Sequence, residues 1–329
     1  MGIDVGWRMK LGAFNIDFYD RDFEPALDAI RDIGCEAVEL GCGGFITKRH
    51  IDPEVLLEDG GKRKEMLDQV EKRGLFISAL SCHANMVHPQ ASFAEAHRKD
   101  FRDTILLAEK IGVERIITFA GCPGTADGDK HPSWITCPWP DYFTEALTWQ
   151  WEEKLIPFWK EEVKFARDHG IKKICLEMHP GDAVYTPEKL LRLRDAAGKE
   201  IGCNFDPSHL FWQGIDPLVA VRTLKECVFH VHAKDTRIDD YLVRHNGVLD
   251  NRPYAEEEKR SWLFRTVGYG NGETFWRDFI SALRIIGYDY VLSIEHEDSL
   301  MSGEEGLKKA AAFLKSVMIE KPRGAMWWD

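Results

Sequence analysis

Eight short apolar runs, each followed by an amphipathic stretch, constrain this chain more than any other feature. The runs are MKLGAFNID (9–17), EAVELGCGG (36–44), LFISALSCHAN (75–85), VERIITFAG (113–121), KKICLEMHP (172–180), IGCNFDPSH (201–209), VFHVHAKD (228–235) and YVLSIEHED (290–298). Helices are predicted over 23–33, 62–73, 92–111, 143–169, 274–286 and 304–318, and five of them stop at Gly34, Gly74, Gly112, Gly170 and Gly287. Glycine takes the left-handed turn after a helix at no steric cost. Further helices are predicted after Thr186-Pro187, with Glu188 in the first turn, and at Asp216-Pro217, because proline is pre-set for the first helical position. Strands that alternate with helices pair in parallel. Eight such units in 329 residues are what an α/β fold of the closed (β/α)8 TIM-barrel type requires. An open doubly wound sheet would carry a glycine-rich phosphate turn after its first strand, and here the first run continues as FNIDFYD. The expectation is one TIM-barrel domain over 1–329, with a long polar insertion at about 236–273 and a loop rich in Pro, Gly and Trp over 122–142.

Composition narrows the function classes. The formal net charge is −12, and a phosphate backbone repels such a chain, so nucleic acid is not an expected partner. No run approaches the ~20 apolar residues that cross a bilayer. The first ten residues have neither an apolar core nor a small-residue cleavage site, so the chain is expected to be cytoplasmic, away from membranes. The eight cysteines form no CxxC pair and read as small, reduced core residues. The adjacent Trp327 and Trp328 would be costly in water, so the tail is expected to dock on the barrel or on a partner.

In a barrel of this kind the chemistry sits where strands end and the following loops begin. The fifth run ends with Glu177, the sixth with Asp206, the seventh carries His232 and the eighth Glu295. Four consecutive strands thus offer one metal-ligating side chain each, at one level. Three carboxylates and one imidazole form a mixed oxygen–nitrogen shell that suits Mn²⁺, Mg²⁺ or Co²⁺ better than a structural zinc. Burying that much negative charge without a cation would be very costly.

The motifs CLEMH (175–179), FDPSH (205–209), HVHAKD (230–235) and SIEHE (293–297) resemble those of the xylose-isomerase-like barrel superfamily, which includes sugar isomerases, ketose 3-epimerases and inosose dehydratases. The resemblance covers essentially the whole chain. It implies that Glu177, Asp206, His232 and Glu295 hold one divalent metal, Mn²⁺ first, and that His209 contacts substrate. It offers Arg237 as a further substrate contact, one residue short of the ketose-epimerase spacing.

Alternation along each strand places Cys175, Glu177 and His179 on one face, with His179 nearest the mouth, where an imidazole can accept a proton near neutral pH. His230, His232 and Lys234 share a face: the deeper His230 reads as a satisfied core histidine, and Lys234 as a substrate contact or a packed polar group. Glu297 stands above Glu295 and is placed to position sugar hydroxyls. His83, Asn85 and Glu39 face inward, either as polar packing or as substrate contacts. Trp134, Trp139, Tyr142, Phe211, Trp212, Trp262 and Phe264 crowd the long loops, and aromatic faces stack on sugars or flat aglycones.

The chemistry common to such sites is proton abstraction next to the carbonyl of a keto-sugar. Glu177-Met178-His179 resembles the large (alpha) subunit of bacterial C-glycoside deglycosidases, which act on 3-oxo-glycosides by β-elimination. That resemblance implies His179 as base, with Glu177 and Glu295 also at the reacting centre, and a small β-rich subunit in a hetero-oligomer. The alternative is a ketose or inosose isomerase, epimerase or dehydratase, in which Glu177 and Glu295 transfer the proton. A DNA-repair endonuclease on the same barrel would need three zincs and more histidines, and the fourth run ends FAGC with none.

Overall fold

The structure, a computed structural model, describes residues 8–321 and 327–328. Its strands are β1 (Lys10–Phe14), β2 (Ala37–Gly44), β3 (Phe76–His83), β4 (Arg115–Thr118), β5 (Lys173–Glu177), β6 (Ile201–Phe205), β7 (Val228–Ala233), β8 (Asp235–Ile238), β9 (Trp262–Arg265) and β10 (Val291–Ile294). Strands β1 to β7 and β10 close a parallel barrel in chain order, β10 returning to β1, and β8 and β9 form a separate antiparallel pair. The eight apolar runs are the eight barrel strands.

The helices are α1 (Phe23–Asp32), α2 (Pro53–Glu58), α3 (Gly60–Lys72), α4 (Ala91–Ile111), α5 (Asp141–Trp149), α6 (Ile156–Asp168), α7 (Pro187–Ala197), α8 (Ser208–Phe211), α9 (Pro217–Leu224), α10 (Asp240–Asn246), α11 (Glu273–Ile285) and α12 (Gly303–Val317). The outer layer is attached by helical periodicity. In α11 the buried residues include Trp276, Phe279, Ile280 and Leu283, and in α12 they include Leu307, Ala310, Ala311 and Leu314. That i, i+3, i+4, i+7 spacing forms one apolar stripe against the sheet.

Several boundaries differ from the sequence reading, for local reasons. The first strand stops at Phe14, and Asn15–Phe18 form a 3₁₀ turn. The helix expected at 62–73 is preceded by α2, and Asp59 starts α3 by accepting from the amides of Gly61 (2.9 Å) and Lys62 (3.0 Å), as an N-cap does. The expected helix 143–169 carries a π-helical turn at Gln150–Leu155, just before Pro157, which has no N–H to give. There the buried Gln150 side chain donates to the carbonyls of Gly124 (2.9 Å) and Ser133 (2.8 Å), tying down the loop after β4. The sixth strand ends at Phe205, so His209 sits on the short helix α8. The insertion at 236–273 is not wholly polar: its Trp262 and Phe264 form a buried cluster with Trp212, the two indoles stacked at 4.6 Å.

Every cysteine except Cys137 is buried, as expected of small core residues. Trp327 and Trp328 are exposed and pack edge-on against each other at 5.3 Å, so they do not dock on the barrel itself, and 322–326 lie outside the described residues. No helix among the described residues is long and apolar enough to cross a membrane.

Candidate metal centre and active site

Glu177 is the last residue of β5, Asp206 follows β6, His232 lies in β7 and Glu295 follows β10. Each side chain offers one ligand atom, and these four atoms all lie within 4.8 Å of one another. His232 Nδ1 stands 3.2 Å from Glu177 Oε2 and 3.1 Å from Glu295 Oε2. Ligand atoms at ~2.0–2.6 Å from one hard cation have such mutual separations.

The hydrogen bonds around the set fit a divalent ion as well. His232 Nε2 donates to Glu39, 3.0 Å from Oε1 and 2.9 Å from Oε2, which leaves Nδ1 as the ring's lone-pair nitrogen. Nδ1 of His232 and Oδ2 of Asp206 are buried without a hydrogen-bond partner, and both belong to the ligand set. Glu39 is fixed in turn by the hydroxyls of Ser81 (2.5 Å) and Ser293 (2.7 Å). A carboxylate behind a ligating histidine sets its tautomer and strengthens it as a ligand. Asn204 donates to Glu177 Oε2 (2.9 Å) and accepts from His230 Nδ1 (2.9 Å), and the His230 ring also meets Ser78 Oγ at 3.3 Å. His230 is therefore the satisfied core histidine that its depth implied.

Burial opposes the charged form of every group here, and neighbours decide the outcome. For Glu177, burial is outweighed by the adjacent imidazoles of His209, His232 and His83, which hold the carboxyl well below its usual range. For Glu295, burial is outweighed by Lys234 and His232, again downward. Burial also lowers His232 and Lys234, yet surrounding carboxylates, Glu39 first for the ring and Asp206 first for the ammonium, hold both well above their ordinary values. The field that favours protons on these two groups equally favours a cation among the carboxylates.

Lys234 is buried, with Nζ 2.7 Å from Glu295, 2.9 Å from Glu297 and 3.2 Å from Asp206. His209 Nε2 reaches Glu177 Oε1 at 3.1 Å and Asp206 Oδ2 at 3.3 Å, so it braces two ligands from behind and does not line the cavity. His83 Nε2 lies 3.4 Å from Glu177 Oε2 and does line it. His179 lines the same cavity, with its ring 4.3 Å from that of His209 and Nδ1 3.7 Å from the Asp182 carboxylate. Burial, with His209 beside it, pushes the His179 imidazole down to about 3, so the ring is neutral.

Two of the groups singled out in the sequence lie away from the cavity. Arg237 is not brought to the site: barrel strand β7 ends at Ala233, the chain turns into the β8–β9 hairpin, and Arg237 is exposed with its guanidinium on the Gly270 carbonyl (3.4 Å). The aromatic residues of the long loops do not line the cavity either. Trp134 packs on Tyr185, Phe211 on Phe275, and Trp212 with Trp262 and Phe264, while Trp139 is 75% exposed. Asn85 holds the loop after β4 through the Cys122 carbonyl and amide.

The cavity has a volume of about 580 Å³, with Glu177, His179, Lys234, Glu295 and Glu297 on one side. The sequence reading missed Asp17, which also lines it: its Oδ1 accepts from the His296 amide (3.2 Å), and its Oδ2 is buried without a partner. The signal was present as FNID at the end of the first run, hidden by counting all nine residues as strand.

Comparison with known proteins agrees with the barrel fold. The family model described as "Xylose isomerase-like TIM barrel" matches residues 27–317. The uncharacterized protein YfiH of Bacillus subtilis is 37% identical over 314 residues, 95% of this chain and 100% of that protein. An inosose dehydratase of Mesomycoplasma hyopneumoniae is 23% identical over 304 residues, 91% of this chain and 90% of that enzyme. Among solved structures, the probable 3-DHS dehydratase AsbF from Bacillus anthracis superposes with a TM-score of 0.65 at 19% identity, over 93% of this chain and 99% of that one, a likeness of fold.

Proposed function

The chain belongs to the xylose isomerase-like TIM barrel family, and we propose that it is a divalent-metal-dependent lyase acting on a keto-polyol. It removes the proton next to the carbonyl and expels the substituent β to it. The observation that carries this reading is the place of His179: a neutral imidazole on the inward face of the barrel, two residues beyond a ligand, lining the cavity with Nδ1 turned to Asp182. Its Nδ1 makes no hydrogen bond, so the ring is free to take a proton from bound substrate. The electron pair of the broken C–H bond becomes the new C=C bond, and the β-substituent departs with its own pair. Lys234 and Glu297, paired at 2.9 Å, present an ammonium and a half-exposed carboxylate to the carbonyl and hydroxyl oxygens. His83 borders the cavity across from them. A bound divalent ion held by Glu177, Asp206, His232 and Glu295, in our assignment Mn²⁺ with Mg²⁺ or Co²⁺ as substitutes, supplies a Lewis acid that polarises the carbonyl oxygen.

With hydroxide as leaving group, protonated to water, the reaction is a dehydration, and the inosose dehydratase among the relatives supports that choice. With a carbon-linked aglycone on a 3-oxo-glycoside, the same first step cleaves a C-glycoside, the reading that Glu177-Met178-His179 suggests by resemblance. In that case a small beta subunit joins the barrel, and a cytoplasmic hetero-oligomer is the assembly to look for by co-purification with metal analysis. The deciding experiment is to incubate metal-loaded protein with an inosose and, separately, with a 3-oxo-C-glucosyl flavone, in deuterated water. We expect elimination product from at least one, abolished by EDTA. Deuterium incorporation or ketose interconversion without elimination would replace the lyase reading with isomerase or epimerase chemistry through Glu177 and Glu295.

A further inference from the structure

We infer that the side of the cavity facing the metal ligands is a subsite for a flat apolar group carried by the substrate, so that this chain takes a sugar-like polyol joined to an aromatic moiety in preference to a free monosaccharide. The polyol half of that statement rests on the proposed lyase reading, and the apolar half does not. The wall consists of Ile16 and Tyr19 from the turn after β1, Phe45 and Ile46 after β2, Phe119 after β4 and Met301 after β10. None of these side chains except the Tyr19 hydroxyl can pair with a sugar hydroxyl. Between Ile16 and Tyr19 only the Asp17 carboxylate also lines the cavity, so a polyol laid along the wall would leave most of its hydroxyls without partners, which is costly when they are desolvated. The cavity volume of about 580 Å³ falls within the ~300–1,000 Å³ of sites for drug-sized ligands.

Tyr19 is 63% exposed and Phe45 58% exposed. Single exposed aromatics are ordinary, but these two border one cavity, and both are held rigidly at the backbone. The Phe45 amide donates to the His83 carbonyl at 2.7 Å. Gly44 before it has φ +73, and a Cβ there would lie 2.1 Å from the same carbonyl oxygen, so only glycine lets β2 turn Phe45 over the barrel mouth. The Gly44 amide donates to Asp100 (3.1 Å), which also pairs with Lys48. The turn carrying Tyr19 is braced by Arg49 on the Tyr19 carbonyl (3.0 Å), and Asn15 in that turn accepts from the Gly41 amide (2.8 Å) and donates to His50 (2.9 Å). One side of Phe45 meets His97 edge-on at 4.8 Å, and Phe119 lies beyond it at 6.4 Å. A wall ordered before binding loses little entropy on stacking a flat ring.

The test is calorimetric titration of the metal-loaded protein with phenyl β-D-glucopyranoside and methyl β-D-glucopyranoside, which lack a ketone and so are not turned over. We expect the phenyl glycoside to bind at least about tenfold tighter, since burying one aromatic face is worth ~1.4 kcal/mol or more. In Tyr19→Ala/Phe45→Ala that preference should fall to within about twofold, with metal content and methyl-glycoside affinity unchanged. Single Tyr19→Ser and Phe45→Ser variants serve if the double variant does not fold, each expected to lose part of the preference. A wild type that does not distinguish the two glycosides, or variants that keep the full preference, would overturn the subsite. So would variants that halve the mass on gel filtration and keep the preference, because the wall would then be covered by a second copy. Loss of lyase activity on every keto-polyol with the phenyl preference intact would defeat the proposed function and leave the subsite standing.

Discussion

Strands β5, β6, β7 and β10 each deliver one ligating side chain to a single point, whereas β1, β2 and β4 meet them across the mouth with Ile16, Tyr19, Phe45 and Phe119. The ligand half is charged and cross-braced, with Asn204 and His209 on Glu177 and Lys234 on Glu295. The facing half is mostly apolar at the mouth, with Asp17 and His83 as its polar lining, and below it Glu39 of β2, held by Ser81 of β3, reaches His232 from behind. Collecting three carboxylates at one point requires support from the far side of the barrel, because strands bearing ligands cannot also supply every counter-partner. In the proposed function one half would hold the ion and the reacting groups, while the other backs His232 through Glu39.

The comparison breaks first if the ligand half is not a metal centre. Glu295→Gln should leave the fold intact, release the ion and lower turnover at least ~10³-fold, since a Lewis acid supplies several kcal/mol of transition-state stabilisation; metal analysis and single-turnover rates check this. His179→Ala should cost at least ~10²-fold in rate with metal content unchanged, the scale of a general base. Near-normal activity in that variant beside a dead Glu177→Gln would move the proton transfer to the carboxylates. Glu39→Gln tests whether the facing half supports the ligands: metal affinity measured by competition with a chelator should weaken ~10–100-fold. Gly44→Ala tests the hinge between the halves, and thermal unfolding should show a loss of at least ~1–3 kcal/mol, because a Cβ there is both left-handed and overlapped with the His83 carbonyl. Arg237→Ala should change activity less than twofold and stability by no more than ~0.5 kcal/mol, as an exposed residue away from both halves.

The ligand half was legible in the sequence because strand alternation is a local rule. Glu177, His232 and His179 could be assigned inward by counting in twos from an apolar run. The facing half was not legible, because its residues sit where strands stop. Counting 9–17 as one strand concealed the 3₁₀ turn at Asn15–Phe18 that carries Asp17 into the cavity, and nothing local said that Gly43 and Gly44 would aim Phe45 over the mouth. The place of Arg237 was not legible either: the resemblance offered it by spacing after His232, and spacing does not say that the chain leaves the barrel after Ala233 for the β8–β9 hairpin.

By itself the sequence determined the number and order of barrel strands, the outer helix faces and which four side chains would gather at one point, since each follows from periodicity within one segment and from the chemistry of the side chains. Only the tertiary structure decided that Glu39 lies behind His232, that His209 braces Glu177 and Asp206 from behind, and which aromatic residues line the cavity. Those pairings join residues as far apart as 193 positions. They depend on barrel closure and on where each loop leaves its strand, neither of which is written in any single stretch of chain.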